Sequence, residues 1–131
     1  MKNMSVGCEG LSASTVGNKI YCIGGKSNST LSTNQCYDPL TNTWTTMKNM
    51  ITASGYVTAS TVDNKIYVLG GNSGSVSNLN QCYDASKNEW TIMNVMPTSR
   101  VASTSSVVDN KIYVIGGVNS SYLTTNECYI P

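Results

Sequence analysis

Asn64-Lys65-Ile66-Tyr67-Val68-Leu69-Gly70-Gly71 is the stretch on which the fold turns. The same pattern stands at Asn18-Lys19-Ile20-Tyr21-Cys22-Ile23-Gly24-Gly25 and at Asn110-Lys111-Ile112-Tyr113-Val114-Ile115-Gly116-Gly117, each copy 46 residues from the last. The four-residue run after Lys is nearly continuously apolar. A strand wetted on one face would alternate with polar residues, so this one is expected to be covered on both. A fixed period of this length, pairing a short apolar run with a double glycine, is the signature of β-propeller blades, in which each sheet is sandwiched between neighbours.

Around that strand the rest of each unit falls into place. Before it lie residues 11–16, 57–62 and 102–108, rich in Ala, Ser, Thr and Val. Side chains this small suit an innermost strand, where blades crowd around an axis. Gly17-Asn18, Asp63-Asn64 and Asp109-Asn110 then supply two-residue hairpin turns from residues that tolerate positive φ. After the glycines come a polar loop and a third strand, Asn34-Gln35-Cys36-Tyr37 and its equivalents. Asp38-Pro39 makes the next turn, and a fourth strand carries Trp44 or Trp90. The units run 1–46, 47–92 and 93–131, and the first two agree at 24 of 46 positions without a gap. Unit three stops at Tyr129-Ile130-Pro131, without the turn Asp or the fourth strand, so eleven strands are expected.

Composition narrows the function. Charged residues make up 11% of the chain and the net charge is +1, with the eight Lys and Arg scattered singly. A phosphate backbone or an anionic membrane surface calls for clustered cations, so neither nucleic acid nor membrane is expected as a partner. No apolar run is long enough to span a bilayer, and Met1-Lys2-Asn3-Met4 leads into no apolar signal core; the expected location is cytoplasmic. Cys36, Cys82 and Cys128 recur at the repeat period, so they occupy equivalent points in separate blades, beyond disulfide reach, and read as small buried side chains. With no histidine and no close cysteine spacing, no metal site or cofactor is expected.

Ile66-Tyr67-Val68-Leu69-Gly70-Gly71, then Tyr-Asp-Pro, then an Asn two residues before Trp, then Met-x-x-Met resembles the kelch repeat family throughout the chain. Met96-Pro97-Thr98-Ser99-Arg100 is similar to that family's Pro-to-Arg passage into the next inner strand. The resemblance implies all-β, four-stranded antiparallel blades. It also implies that Gly24, Gly25, Gly70, Gly71, Gly116 and Gly117, the third-strand Tyr37, Tyr83 and Tyr129, and Trp44 and Trp90 pack blade against blade. Propellers close with four to eight blades. Three blades in one chain reach that range only by doubling, so a homodimer forming a six-bladed ring is expected. The alternative is that the chain is part of a longer propeller and packs on its remainder.

Strand parity puts the loop between strands two and three on the same side as the passage into strand one, and in kelch proteins that side usually carries binding. Its candidates here are Lys26, Asn28, Asn72, Ser73, Asn119, Ser120 and Tyr122, with Cys8, Glu9, Tyr56 and Arg100 around the inner mouth. Arg100 replaces Cys8 and Ser54 of the other units and is suited to holding a carboxylate. Tyr122 is the one aromatic at its loop position. Some kelch propellers are enzymes. The copper radical oxidases need histidine ligands, which this chain lacks. A sialic-acid mutarotase or sugar binder would have only Glu9 and Arg100 as charged groups at the mouth. The favoured expectation is a non-catalytic module that holds a protein or peptide; the alternative is a carbohydrate-directed propeller.

Overall fold

The computed structural model describes residues 1–131 and consists of three antiparallel sheets without a helix. The first contains β1 (Ser12–Val16), β2 (Lys19–Ile23), β3 (Asn34–Asp38) and β4 (Thr43–Thr46) in chain order. The second contains β5 (Thr58–Val62), β6 (Lys65–Leu69), β7 (Asn80–Asp84) and β8 (Glu89–Ile92). The third has only β9 (Thr104–Val108), β10 (Lys111–Ile115) and β11 (Asn126–Tyr129), with β10 in the middle. These are the eleven strands expected. The turns between the first two strands behave as their composition demands: Asp63 and Asn64 have φ of 49° and 60°, Asp109 and Asn110 50° and 57°. Positive φ at both central residues matches the right-handed twist of the flanking strands.

The sheets stand side by side with β1, β5 and β9 nearest one another. Hydroxyls tie these inner strands together, Ser14 to Thr61 at 2.7 Å, and Thr58 and Ser60 each to Ser105 at 2.8 Å. Small side chains are needed here because the backbones converge; bulkier ones would hold the blades apart.

Farther out, apolar residues fill the space between blades. Tyr21, Ile23 and Cys36 of the first blade are buried in one cluster with Ile66, Val68, Tyr83 and Trp90 of the second. Tyr67, Leu69 and Cys82 of the second are buried with Ile112 and Val114 of the third, and Tyr129 packs on them. The second seam is the first moved on by 46 residues. The tyrosines cross it in the same way, Tyr21 against Tyr83 at 5.7 Å and Tyr67 against Tyr129 at 5.6 Å between ring centroids. Tilted rings at this spacing set the positive edge of one against the negative face of the other. Burial pushes the Tyr83 hydroxyl up to about 12, as befits a phenol lodged in that core.

The fourth strand is locked by an Asn–Trp pair. Asn42 and Asn88 sit at φ of 52° and 54° in the turn that precedes it. The Oδ1 of Asn42 accepts from the Tyr37 hydroxyl at 2.9 Å and from the Lys2 amide at 2.7 Å. Asn88 does the same for Tyr83 at 2.8 Å and Lys48 at 2.9 Å. The indole N–H groups of Trp44 and Trp90 then donate to the carbonyls of Lys2 and Lys48, at 2.9 and 2.7 Å. Asn is suited to the place because it tolerates left-handed backbone and carries an acceptor.

Two departures follow from the missing strand and the open ends. Cys128, expected to be buried like its equivalents, is exposed, because β11 has neither an outer partner strand nor a blade packed over it. Trp44, with no blade packed over it, is only half-buried, whereas Trp90 lies inside the first seam. Trp90→Ala is accordingly expected to cost about 3–5 kcal/mol, the usual range for removing a large aromatic from a core. Trp44→Ala should cost distinctly less. Urea denaturation of the two variants beside the parent chain measures both.

Candidate functional site

Each passage into a blade is built around a double glycine. Gly25 N–H donates to the Ser54 carbonyl at 3.0 Å, and Gly71 N–H to that of Arg100 at 2.8 Å. The carbonyl of the next blade's passage thus lies against the glycine pair. A Cβ on Gly24 would strike the Ser54 carbonyl, and one on Gly70 the Arg100 carbonyl. Their φ of 70° and 67° adds a second reason for glycine. The group that approaches these two glycines is chiefly backbone.

The polar loop after each glycine pair folds back on the passage. Lys26 bridges to Glu9 and Thr30, Asn72 to Gly55 and Val76, Val118 to Val101 and Tyr122. All three loops therefore sit as ledges on one side of the molecule, as strand parity requires. At the inner mouth a backbone chain joins the blades, Tyr56 N–H donating to the Gly10 carbonyl at 2.7 Å and Ala102 N–H to that of Tyr56 at 2.9 Å. Tyr56 adopts φ of 56° and its hydroxyl donates to Glu9 Oε1 at 2.6 Å. That bond to a carboxylate raises the Tyr56 hydroxyl above the usual phenol range.

The structure separates the candidates into two groups. Lys26, Asn28, Ser73, Asn119, Ser120 and Tyr122 are exposed on the ledges, with Asn72 half-buried among them. Tyr122 is 90% exposed. Asn72 Oδ1 is committed to the Gly74 amide at 2.9 Å, and Asn119 Nδ2 donates to Ser99 Oγ at 3.2 Å. Glu9 is exposed and engaged with Tyr56, and Cys8 lies with its Sγ 4.0 Å from the Gly24 carbonyl.

Arg100 belongs to neither ledge nor mouth. It is wholly enclosed, the largest fully buried side chain in the chain. Its Nη2 lies 2.7 Å from Glu127 Oε1, and its Nη1 donates to the carbonyls of Gly116 at 2.9 Å and Thr125 at 3.4 Å. The expectation that it holds a ligand carboxylate from the mouth is therefore corrected: its carboxylate partner is internal. Sequence reading missed that partner. Its signal was a paired change at one repeat period, Ser54 and Gln81 of unit two becoming Arg100 and Glu127 in unit three. In the second blade, Ser54 Oγ donates to the Gly70 carbonyl at 3.3 Å, and Gln81 bonds both the amide and the carbonyl of Thr52 at 2.9 Å. The ion pair does the same work in the third blade, tying passage to sheet.

A comparison with family models matches residues 10–130 to the KLHDC2/KLHL20/DRC7 Kelch-repeats domain. Comparison with curated proteins gives no match.

Glu127→Ala leaves a buried guanidinium without its counter-ion and is expected to destabilise the chain by about 3 kcal/mol. The double change Arg100→Ser with Glu127→Gln installs the second blade's residues in the third and should restore most of that loss. Chemical denaturation of parent, single and double variants measures the difference.

Proposed function

Since the chain belongs to the kelch repeat family, and kelch repeats form propeller modules for protein interaction, we propose that it is a non-catalytic module that binds a protein or peptide on its loop face, after two copies close into a six-bladed ring. Ring closure is supported by how the two ends of the chain repeat the faces already packed inside it. Ile23 and Leu69 are 0% exposed beneath the following blade, whereas Ile115, their equivalent, is 44% exposed. At the other end Ile20 is exposed where Ile66 and Ile112 are fully buried. Gly116 meets no carbonyl from a following blade, although Gly24 and Gly70 both do.

Continuing the repeat supplies the groups missing at both end faces from a second copy. Tyr113 would face Tyr37 of that copy as Tyr21 faces Tyr83, and Gly117 N–H would meet its Cys8 carbonyl as Gly71 meets Arg100. Two such seams, exchanged by a two-fold axis, leave no open blade face. Three blades doubled give six, the one multiple of three within the range at which propellers close.

The loop face supports the binding role. Its exposed amides, hydroxyls and single Lys are adaptable donors and acceptors held on a rigid frame, and Tyr122 adds a broad amphipathic contact. Peptide groups suit such a surface because they need both hydrogen-bond directions and little charge.

Two outcomes are expected. Light scattering should give twice the 14.0 kDa chain mass, and Ile115→Lys should halve it while leaving circular dichroism unchanged; a monodisperse monomer at tens of micromolar removes the ring. Selection of displayed peptides on the immobilised chain should enrich sequences whose affinity falls at least tenfold with Tyr122→Ala. Leu40→Ala, an exposed residue in a turn on the opposite side, should leave them bound. Enriched peptides indifferent to Tyr122 would remove the loop-face site.

A further inference from the structure

Two residues at the inner mouth break the repeat without serving the fold. Gly10, Tyr56 and Ala102 are equivalent positions, and all three have left-handed backbone, with φ of 62°, 56° and 52°. Backbone alone does the work there, Tyr56 N–H donating to the Gly10 carbonyl and Ala102 N–H to that of Tyr56. Glycine adopts this conformation without steric cost, whereas a tyrosine is strained in it. Position 9 departs as well, with Glu9 where the other units have Gly55 and Val101. The two departures meet, since the Tyr56 hydroxyl donates to Glu9 Oε1 at 2.6 Å in an exposed bond. Water competes for both partners of such a bond, so it adds little stability to set against the strain. Arg100 and Glu127 are also a paired departure, but theirs is buried and ties passage to sheet. Strain kept for a side chain at the surface is the mark of a functional residue.

What the pair achieves is a fixed carboxylate. Glu9 N–H donates to the Lys26 carbonyl at 2.9 Å and its own carbonyl accepts from Lys26 N–H at 2.8 Å, so its backbone is held. The Tyr56 ring rests on Gly10, where a Cβ would strike it, so the phenol is held too. Lys26 stands directly opposite Glu9, and the two side chains leave on the same side. The chain's two ion pairs are nevertheless Lys19 with Asp38 and Arg100 with Glu127. Glu9 is therefore oriented by a phenol rather than by the ammonium beside it, and its Oε2 is left free.

We propose that Glu9 and Tyr56 form a seat for a primary ammonium group of the bound polypeptide, either a lysine side chain or a free chain N-terminus. The seat rests on the loop face being the side that takes a polypeptide, and it adds the group recognised at the centre of that face. A hydroxyl that gives its proton to Oε1 keeps its lone pairs, so Oε2 and the Tyr56 oxygen present acceptors and no donor. The three N–H groups of an ammonium can span two such oxygens on different side chains. A guanidinium fork instead matches the paired oxygens of one unencumbered carboxylate. The Tyr56 ring adds the attraction of an aromatic face for a cation. Acceptors already in place also spare the ligand the cost of ordering them. Lys26 is the competitor within the chain.

The probes are acetyl-Gly-Lys-Gly-amide for the side chain and Gly-Gly-Gly-amide for the N-terminus, with acetyl-Gly-Gly-Gly-amide as the blank. Each is titrated into the intact ¹⁵N-labelled chain by NMR. Saturable shifts are expected at residues 9, 10 and 56, and whichever ammonium probe gives the tighter binding identifies the source. Affinity should fall about tenfold with Glu9→Gln. It should fall less with Tyr56→Phe, which keeps the ring and loses the oxygen, and rise with Lys26→Ala. Tyr56→Gly should abolish binding while leaving the melting temperature equal or higher. Shifts no larger than the blank's, an unchanged affinity in Glu9→Gln, equal binding of acetyl-Gly-Arg-Gly-amide, or a lowered melting temperature in Tyr56→Gly would each overturn the proposal. Selected peptides that need Tyr122 but bind Glu9→Gln equally well would remove the seat and leave the loop face standing. Ammonium probes that bind at residues 9 and 56 when no displayed peptide is enriched would do the reverse.

Discussion

Every seam in this molecule depends on a carbonyl reaching a glycine. The passage into each blade lays its backbone on the glycine pair of the blade before, with Gly25 bonded to Ser54 and Gly71 to Arg100. A Cβ at Gly24 or Gly70 would separate the sheets before any side chain met. The inner hydroxyl contacts and the tyrosine pairs are then possible because backbone contact has already fixed the spacing between blades. Aromatic packing supplies area between the blades, but the glycines decide how closely they approach.

That order of dependence explains how much of the fold could be read from residues alone. The eleven strands, the two-residue turns and the double coverage of the second strand all come from local chemistry repeated three times, and local chemistry is what a sequence displays. The exposed candidates on the loop ledges follow for the same reason, since parity along a meander places them without knowledge of packing. Arg100 was misplaced because its environment is made by Glu127, a residue 27 positions away on a strand that reads as ordinary repeat. Only the joint replacement of Ser54 and Gln81 carries that information, and it becomes meaningful once the two positions are known to meet. Asn42 and Asn88 were visible as a motif, yet their task of joining Tyr, a backbone amide and a left-handed turn needed geometry.

The same repeat also shows why position in the chain outweighs residue type. Cys36, Cys82 and Cys128 are the same amino acid on equivalent strands, but the first two are buried and the third is exposed. Nothing about cysteine differs among them; what differs is whether an outer strand and a following blade are present. Propeller repeats are quasi-one-dimensional, each unit stabilised by its neighbours more than by itself. A repeat at an open end therefore advertises, in the pattern of what it leaves uncovered, the chemistry of what would cover it.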